Sequence, residues 1–128
     1  MSQLLTGTIE NKQLVVGDGT RTENAKVKTA TAYKRGDLLN IGANNVADHP
    51  SVTTGVVGDW NAIALADFTA EQATYHAANN LEMPIYVQGA FDIAVVTVNG
   101  VALTTAQYDA VRAQALVNKI ELRKVVGN

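Results

Sequence analysis

The chain has 128 residues, a formal charge of −2 and 47% hydrophobic residues, the size and make-up of one folded domain. It has no cysteine, which excludes disulfide frameworks, thiolate metal sites and cysteine nucleophiles. Its basic residues are scattered, the densest group being Lys26, Lys28, Lys34 and Arg35; this is too sparse for the electrostatic footprint of a nucleic-acid binder.

Aromatic residues are only 5% of the chain, so the core has to come from Val, Ile, Leu and Ala. Such a core is thin per residue, and oligomerisation is one way to stabilise it. Met1 to Thr8 lacks the basic stretch and long apolar core of a secretory signal. The longest apolar run, Ala90 to Val98, is interrupted by Asp92 and Thr97 and is too short to span a bilayer. The expectation is a protein made in the cytosol that leaves it only as part of a particle.

In chain order, residues 1–24 stand apart from the rest of the chain. Leu4, Leu5, Ile9, Leu14, Val15 and Val16 are apolar without a helical period, and the polar stretch Thr20 to Asn24 comes after a Gly17-Asp18-Gly19 turn signal. Two readings fit: an extendable N-terminal arm, or a first hairpin turning at Asp18-Gly19. From Ala25 to Tyr33 a period near 2 with β-branched residues predicts a strand, and residues 25–128 then form a single β-rich domain. Lys34 to Asp37 predicts a turn and Leu38 to Ile41 a second strand. Residues 43–60 read as loop with one short strand at Val52 to Val57, and Ala62 to Ala66 as a buried strand.

Thr69 with Gln72 forms a capping-box pattern that predicts a brief helix through Ala78. Met83 to Val98 is the strongest β pattern, with Ile85, Val87, Gly89, Phe91, Ile93, Val95 and Thr97 on one face and a bulge or bend at Gly89. Asn99-Gly100 predicts a turn. Thr104 with Gln107 repeats the capping box ahead of an amphipathic helix over about 105–117, marked by Tyr108, Val111, Ala115 and Leu116. Lys119 to Val126 alternates again and closes the fold. The class is mainly β with one or two short helices, α+β.

Catalytic patterns do not emerge. Neither His49 nor His76 has a partner at the i, i+4 spacing of a metal pair, so no metal or cofactor is expected. The only serines are Ser2 and Ser51; Ser51 follows Asp48 and His49 on one loop, where triad members rarely converge. The glycines are spaced as turn punctuation, without a phosphate-loop Lys-Ser/Thr. Trp60 reads as a core plug or as an interface anchor, the first being favoured. The expectation is a protein that is not an enzyme.

The order of several short motifs resembles the head decoration proteins of tailed phages, the lambda type. Lys34-Arg35-Gly36-Asp37-Leu38-Leu39 is similar to their early turn, and Ala62-Ile63-Ala64-Leu65-Ala66-Asp67 to their small-residue strand. Pro84-Ile85-Tyr86-Val87-Gln88-Gly89-Ala90-Phe91 and the closing Lys119-Ile120-Glu121-Leu122-Arg123 extend the likeness over about residues 25–126. Two departures stand out: the segment from Asp67 to Pro84 is longer, and Lys119 replaces a common glycine. The resemblance implies a compact fold of β-barrel or β-tulip type with an extended N-terminal arm. It implies a homotrimer at threefold and quasi-threefold positions on the outer surface of the expanded capsid, stabilising the head against internal DNA pressure. It also implies that the arm (Leu4, Leu5, Thr6, Thr8, Ile9, Leu14, Val15 and Val16) adds a strand to the major capsid protein by β-augmentation, with no contact to nucleic acid or membrane. Competing readings are a receptor- or carbohydrate-binding module on a particle surface, and a small hydrolase using His49 or His76.

Overall fold

A computed structural model of the chain describes residues 13–124. The strands are β1 (Arg21–Val27), β2 (Leu38–Ile41), β3 (Val46–Asp48), β4 (Val52–Thr53), β5 (Val56–Val57), β6 (Ala62–Ala64), β7 (Glu82–Asp92), β8 (Thr97–Val98), β9 (Val101–Ala102) and β10 (Ile120–Arg123). Two helices, α1 (Ala70–Ala78) and α2 (Thr105–Val117), complete a mainly β, α+β domain.

The long strand β7 organises the molecule. It pairs antiparallel with β1, from Thr22 opposite Tyr86 to Lys26 opposite Glu82. It also pairs antiparallel with β6, and in parallel with β10 through Gly89 to Asp92. From β1 the ladder continues through β3, β2 and β6 and so returns to β7. Two ribbons stand outside this sheet: β4 pairs with β5, and β8 with β9. Each turns through two residues of positive φ, Thr54-Gly55 and Asn99-Gly100, as the right-handed twist of a two-residue hairpin requires.

Two apolar clusters form the core. One gathers Leu14, Leu38, Trp60, Ile63, Tyr86, Phe91, Ile93 and Val96 with Val111 and Ala115 of α2 and with Ile120 and Leu122 of β10. The other gathers Ala25, Val27, Tyr33, Leu39, Ala47, Met83 and Ile85 with Ala73 of α1. Both helices begin at the expected capping boxes: the Thr69 and Thr104 amides donate to Gln72 and Gln107 Oε1, 2.8 and 2.9 Å away. On α2 Val111 and Ala115 are buried as expected, whereas Leu116 is 71% exposed.

Several expectations are corrected. The first strand begins at Arg21, not Ala25, and ends at Val27 because Ala30 turns the chain with φ +58°. The expected strand over 83–98 stops at Asp92, whose Oδ1 accepts the Ala94 amide at 2.9 Å while its carbonyl accepts the Val95 amide at 3.0 Å. Side-chain competition of this kind closes a turn where apolar alternation alone predicts more strand. Ile85 and Phe91 consequently serve different core clusters, with the bend between them at Gly89, φ +141°.

The boundary of the N-terminal arm also moves. Leu14 is fully buried, its carbonyl accepts the Asp92 amide at 2.9 Å, and the Val16 amide donates to Ala90 at 3.0 Å. Val15 forms an antiparallel bridge with Phe91. Leu14, Val15 and Val16 therefore belong to the domain, as do Arg21 to Asn24 within β1. The Leu14 carbonyl and the Val16 amide are thereby committed to β7, which docks this stretch on the domain. Leu4, Leu5, Thr6, Thr8 and Ile9 lie outside the described residues.

Lys119 has φ +61° just past the end of α2. This is the left-handed position that follows a helix C-cap, where glycine is least strained.

Candidate interaction surfaces

Two buried residues with titratable side chains, Asp37 and Tyr33, act as struts. Asp37, 1% exposed, precedes β2. Its Oδ1 accepts from the Thr97 hydroxyl and from the Gly100 amide at 2.9 Å, and its Oδ2 accepts the Lys34 amide at 2.9 Å. One carboxylate thereby ties the 34–37 turn to the β8–β9 hairpin. His49 Nδ1 lies 3.9 Å from Asp37 Oδ2. The Nε2 atom of His49 lies 2.8 Å from the Ala32 carbonyl, an acceptor only, which places a hydrogen on Nε2. The ring packs 5.4 Å from that of Tyr33.

Tyr33 is a second strut. Its hydroxyl donates to the Ala47 carbonyl at 2.6 Å and accepts the Lys28 amide at 3.0 Å, and burial pushes its ionisation above the ordinary tyrosine range. The Lys28 ammonium, donating to Asp48 Oδ2 at 2.9 Å, holds that carboxyl below its usual range, with the His49 amide adding to the effect.

No hydrogen bond joins Ser51 to His49, and His76 sits on α1 with Nδ1 against the Gln72 carbonyl and its ring against Phe68. Among the described residues no group of three His, Asp or Glu side chains is placed to hold a metal ion. None of the described helices is long and apolar enough to cross a membrane.

Trp60 is 3% exposed and belongs to the core; its carbonyl accepts from Asn118 Nδ2 at 3.0 Å. A side chain enclosed to this degree plugs the core, the reading that the sequence favoured.

What sequence reading missed is an apolar surface at the hairpin end of the molecule. Val52, Val56 and Val101 are 49%, 63% and 68% exposed on the paired ribbons β4–β5 and β8–β9. Between the ribbons lies a hollow of about 410 Å³ walled by Pro50, Val52, Val98, Val101 and Leu103, with Asn99, Ala102 and Gln107 at its edge and no charged residue in its lining. Gln107 of α2 holds this surface together by donating to the Gly55 carbonyl at 2.9 Å. Short β-branched segments beside two-residue turns were the available signal, but alternation alone does not separate valines facing a core from valines facing a hollow.

No family model matches the chain, and no curated protein matches it.

Proposed function

We propose that the chain is a capsid decoration protein that binds the outer surface of an expanded phage head as a homotrimer and stabilises it without chemistry. The observation that carries this reading is the uncharged apolar surface of the two hairpins. Val52 and Val101, 49% and 68% exposed, line a hollow with no charged lining, and Val56, 63% exposed, lies on the same hairpin as Val52. A contiguous apolar patch of this kind is the mark of a protein-binding face. The order of the sequence motifs supports the particular partner, a major capsid protein. We read the ladder that leaves β7 and returns to it as a small β-barrel, which gives the hairpins a rigid base.

In this reading residues 2–12 extend the grip by pairing with coat-protein strands, because main-chain bonds supply affinity without demanding particular side chains. Three weak grips in one trimer multiply into a clamp. The test is binding of Val56→Asp and Val101→Asp variants to expanded capsids, with a chain lacking residues 2–12 beside them. A charge in the apolar face should weaken capsid binding about tenfold or more while the fold persists, since these side chains are already in solvent. Undiminished binding by both charged variants would remove the hairpin surface from the capsid interface.

A further inference from the structure

We propose that the cleft beside Trp60, on the face formed by the end of α2, is a binding site for a neutral polyhydroxylated ligand, a small saccharide. The cleft has a volume of about 450 Å³ and is lined by Asn40, Asp59, Trp60, Asn61, Gln114 and Asn118, with Val117 at its rim. That volume falls within the range of small-molecule sites. The lining holds no Lys, Arg or His, and its one charge is the carboxylate of Asp59. Phosphates and carboxylates are repelled by such a wall, whereas hydroxyl groups are matched by carboxamides and a carboxylate.

The hydrogen-bond inventory narrows the class further. Asn61 is spent on β2, accepting the Ile41 amide at 2.8 Å and donating to its carbonyl at 3.1 Å. Asn118 Nδ2 is spent on the Trp60 and Gln114 carbonyls, at 3.0 and 3.1 Å, which leaves its Oδ1 as an acceptor. Two buried atoms in this wall have no partner: Trp60 Nε1, a donor only, and Gln114 Oε1, an acceptor only. A hydroxyl group accepts from the first and donates to the second; a carbonyl or an ammonium can do only one of these. Gln114 is half-buried on α2, and its Oε1 gives up no hydrogen bond when the side chain turns toward a ligand. Val117, 83% exposed, offers an apolar surface to the C–H face of a sugar ring. This site is separate from the hairpin surface and does not depend on the capsid reading.

The test uses the whole chain, uniformly labelled with nitrogen-15. Because Trp60 is the only tryptophan, its indole N–H gives a single resonance. Glucose, galactose, mannose, N-acetylglucosamine, maltose and lactose are titrated to roughly 50 mM, above the millimolar Kd of weak sites, with inorganic phosphate as the anionic control. The expected result is a saturable shift of the indole resonance with at least one sugar, together with the side-chain amide of Gln114, and no such shift with phosphate. Asn40→Ala and Asp59→Ala, both at exposed positions, should weaken that binding about tenfold, the loss of roughly one hydrogen bond. An indole resonance that no sugar moves overturns the proposal, as does binding unchanged in both variants.

Discussion

Replacing Asp37 with alanine should be costly, because its buried carboxylate holds three groups. The substitution leaves the Thr97 hydroxyl and the Lys34 and Gly100 amides without their acceptor. Hydrogen bonds to a charged acceptor contribute about 1.5–3 kcal/mol each. Only Thr97 is buried, while Gly100 and Lys34 are exposed enough for water to replace part of their loss. Alanine also relieves the desolvation that the carboxylate suffers at 1% exposure. The net expectation is a loss of about 2–4 kcal/mol, a large part of the roughly 5–15 kcal/mol that stabilises a domain. Guanidinium unfolding followed by tryptophan fluorescence measures it as a lower midpoint at unchanged slope. Thr97→Val, which removes one bond and keeps the shape, should cost about 1–2 kcal/mol. The double variant should fall short of the sum by about 1 kcal/mol or more, because both changes break the same contact. A cost below about 1 kcal/mol for Asp37→Ala, or strict additivity in the double variant, would refute the strut assigned to this carboxylate.

Gly89→Ala should destabilise by about 2–3 kcal/mol, because φ is +141° and a Cβ would meet Thr20 Cα and Phe91 Cζ at 3.2 Å; calorimetry reads the fall in Tm. Lys119→Gly should do the opposite and stabilise by about 0.5–1 kcal/mol, relieving a left-handed residue at the end of α2, as a rise in denaturant midpoint. Tyr33→Phe removes a hydroxyl that bridges the Ala47 carbonyl and the Lys28 amide and should cost about 1–2 kcal/mol by the same measurement. The Asp48 carboxyl is depressed, chiefly by its hydrogen bond from Lys28, so its contribution is full above the ordinary carboxylate range and is lost as pH falls through its lowered value. Both side chains are half exposed, so the difference between the wild type and Lys28→Ala should be a few tenths of a kcal/mol at neutral pH. It should vanish in acid and shrink in high salt.

Local chemistry was the legible part of the fold. The capping boxes at Thr69 and Thr104 and the Asn99-Gly100 turn involve residues within three positions of one another, so their pattern suffices. The first four residues of β1, Arg21 to Asn24, are exposed and polar; pairing with β7 makes them a strand, and no apolar alternation marks them. Leu14 reads as one apolar residue in an arm until β7 supplies both its backbone partner and its pocket. The strut from Asp37 to Thr97 joins residues far apart in the chain, and no spacing rule announces it. The hairpin valines were visible as β formers, but their exposure depends on two ribbons meeting at one end of the molecule.

The proposed capsid decoration is tested by mixing the purified chain with expanded and unexpanded cognate phage heads and sedimenting the particles. Saturable co-sedimentation with expanded heads alone is expected, at three copies per threefold position, with heads that withstand heating better once decorated. A chain that stays in the supernatant at micromolar concentration, or heads whose heat resistance it leaves unchanged, would contradict the decoration role.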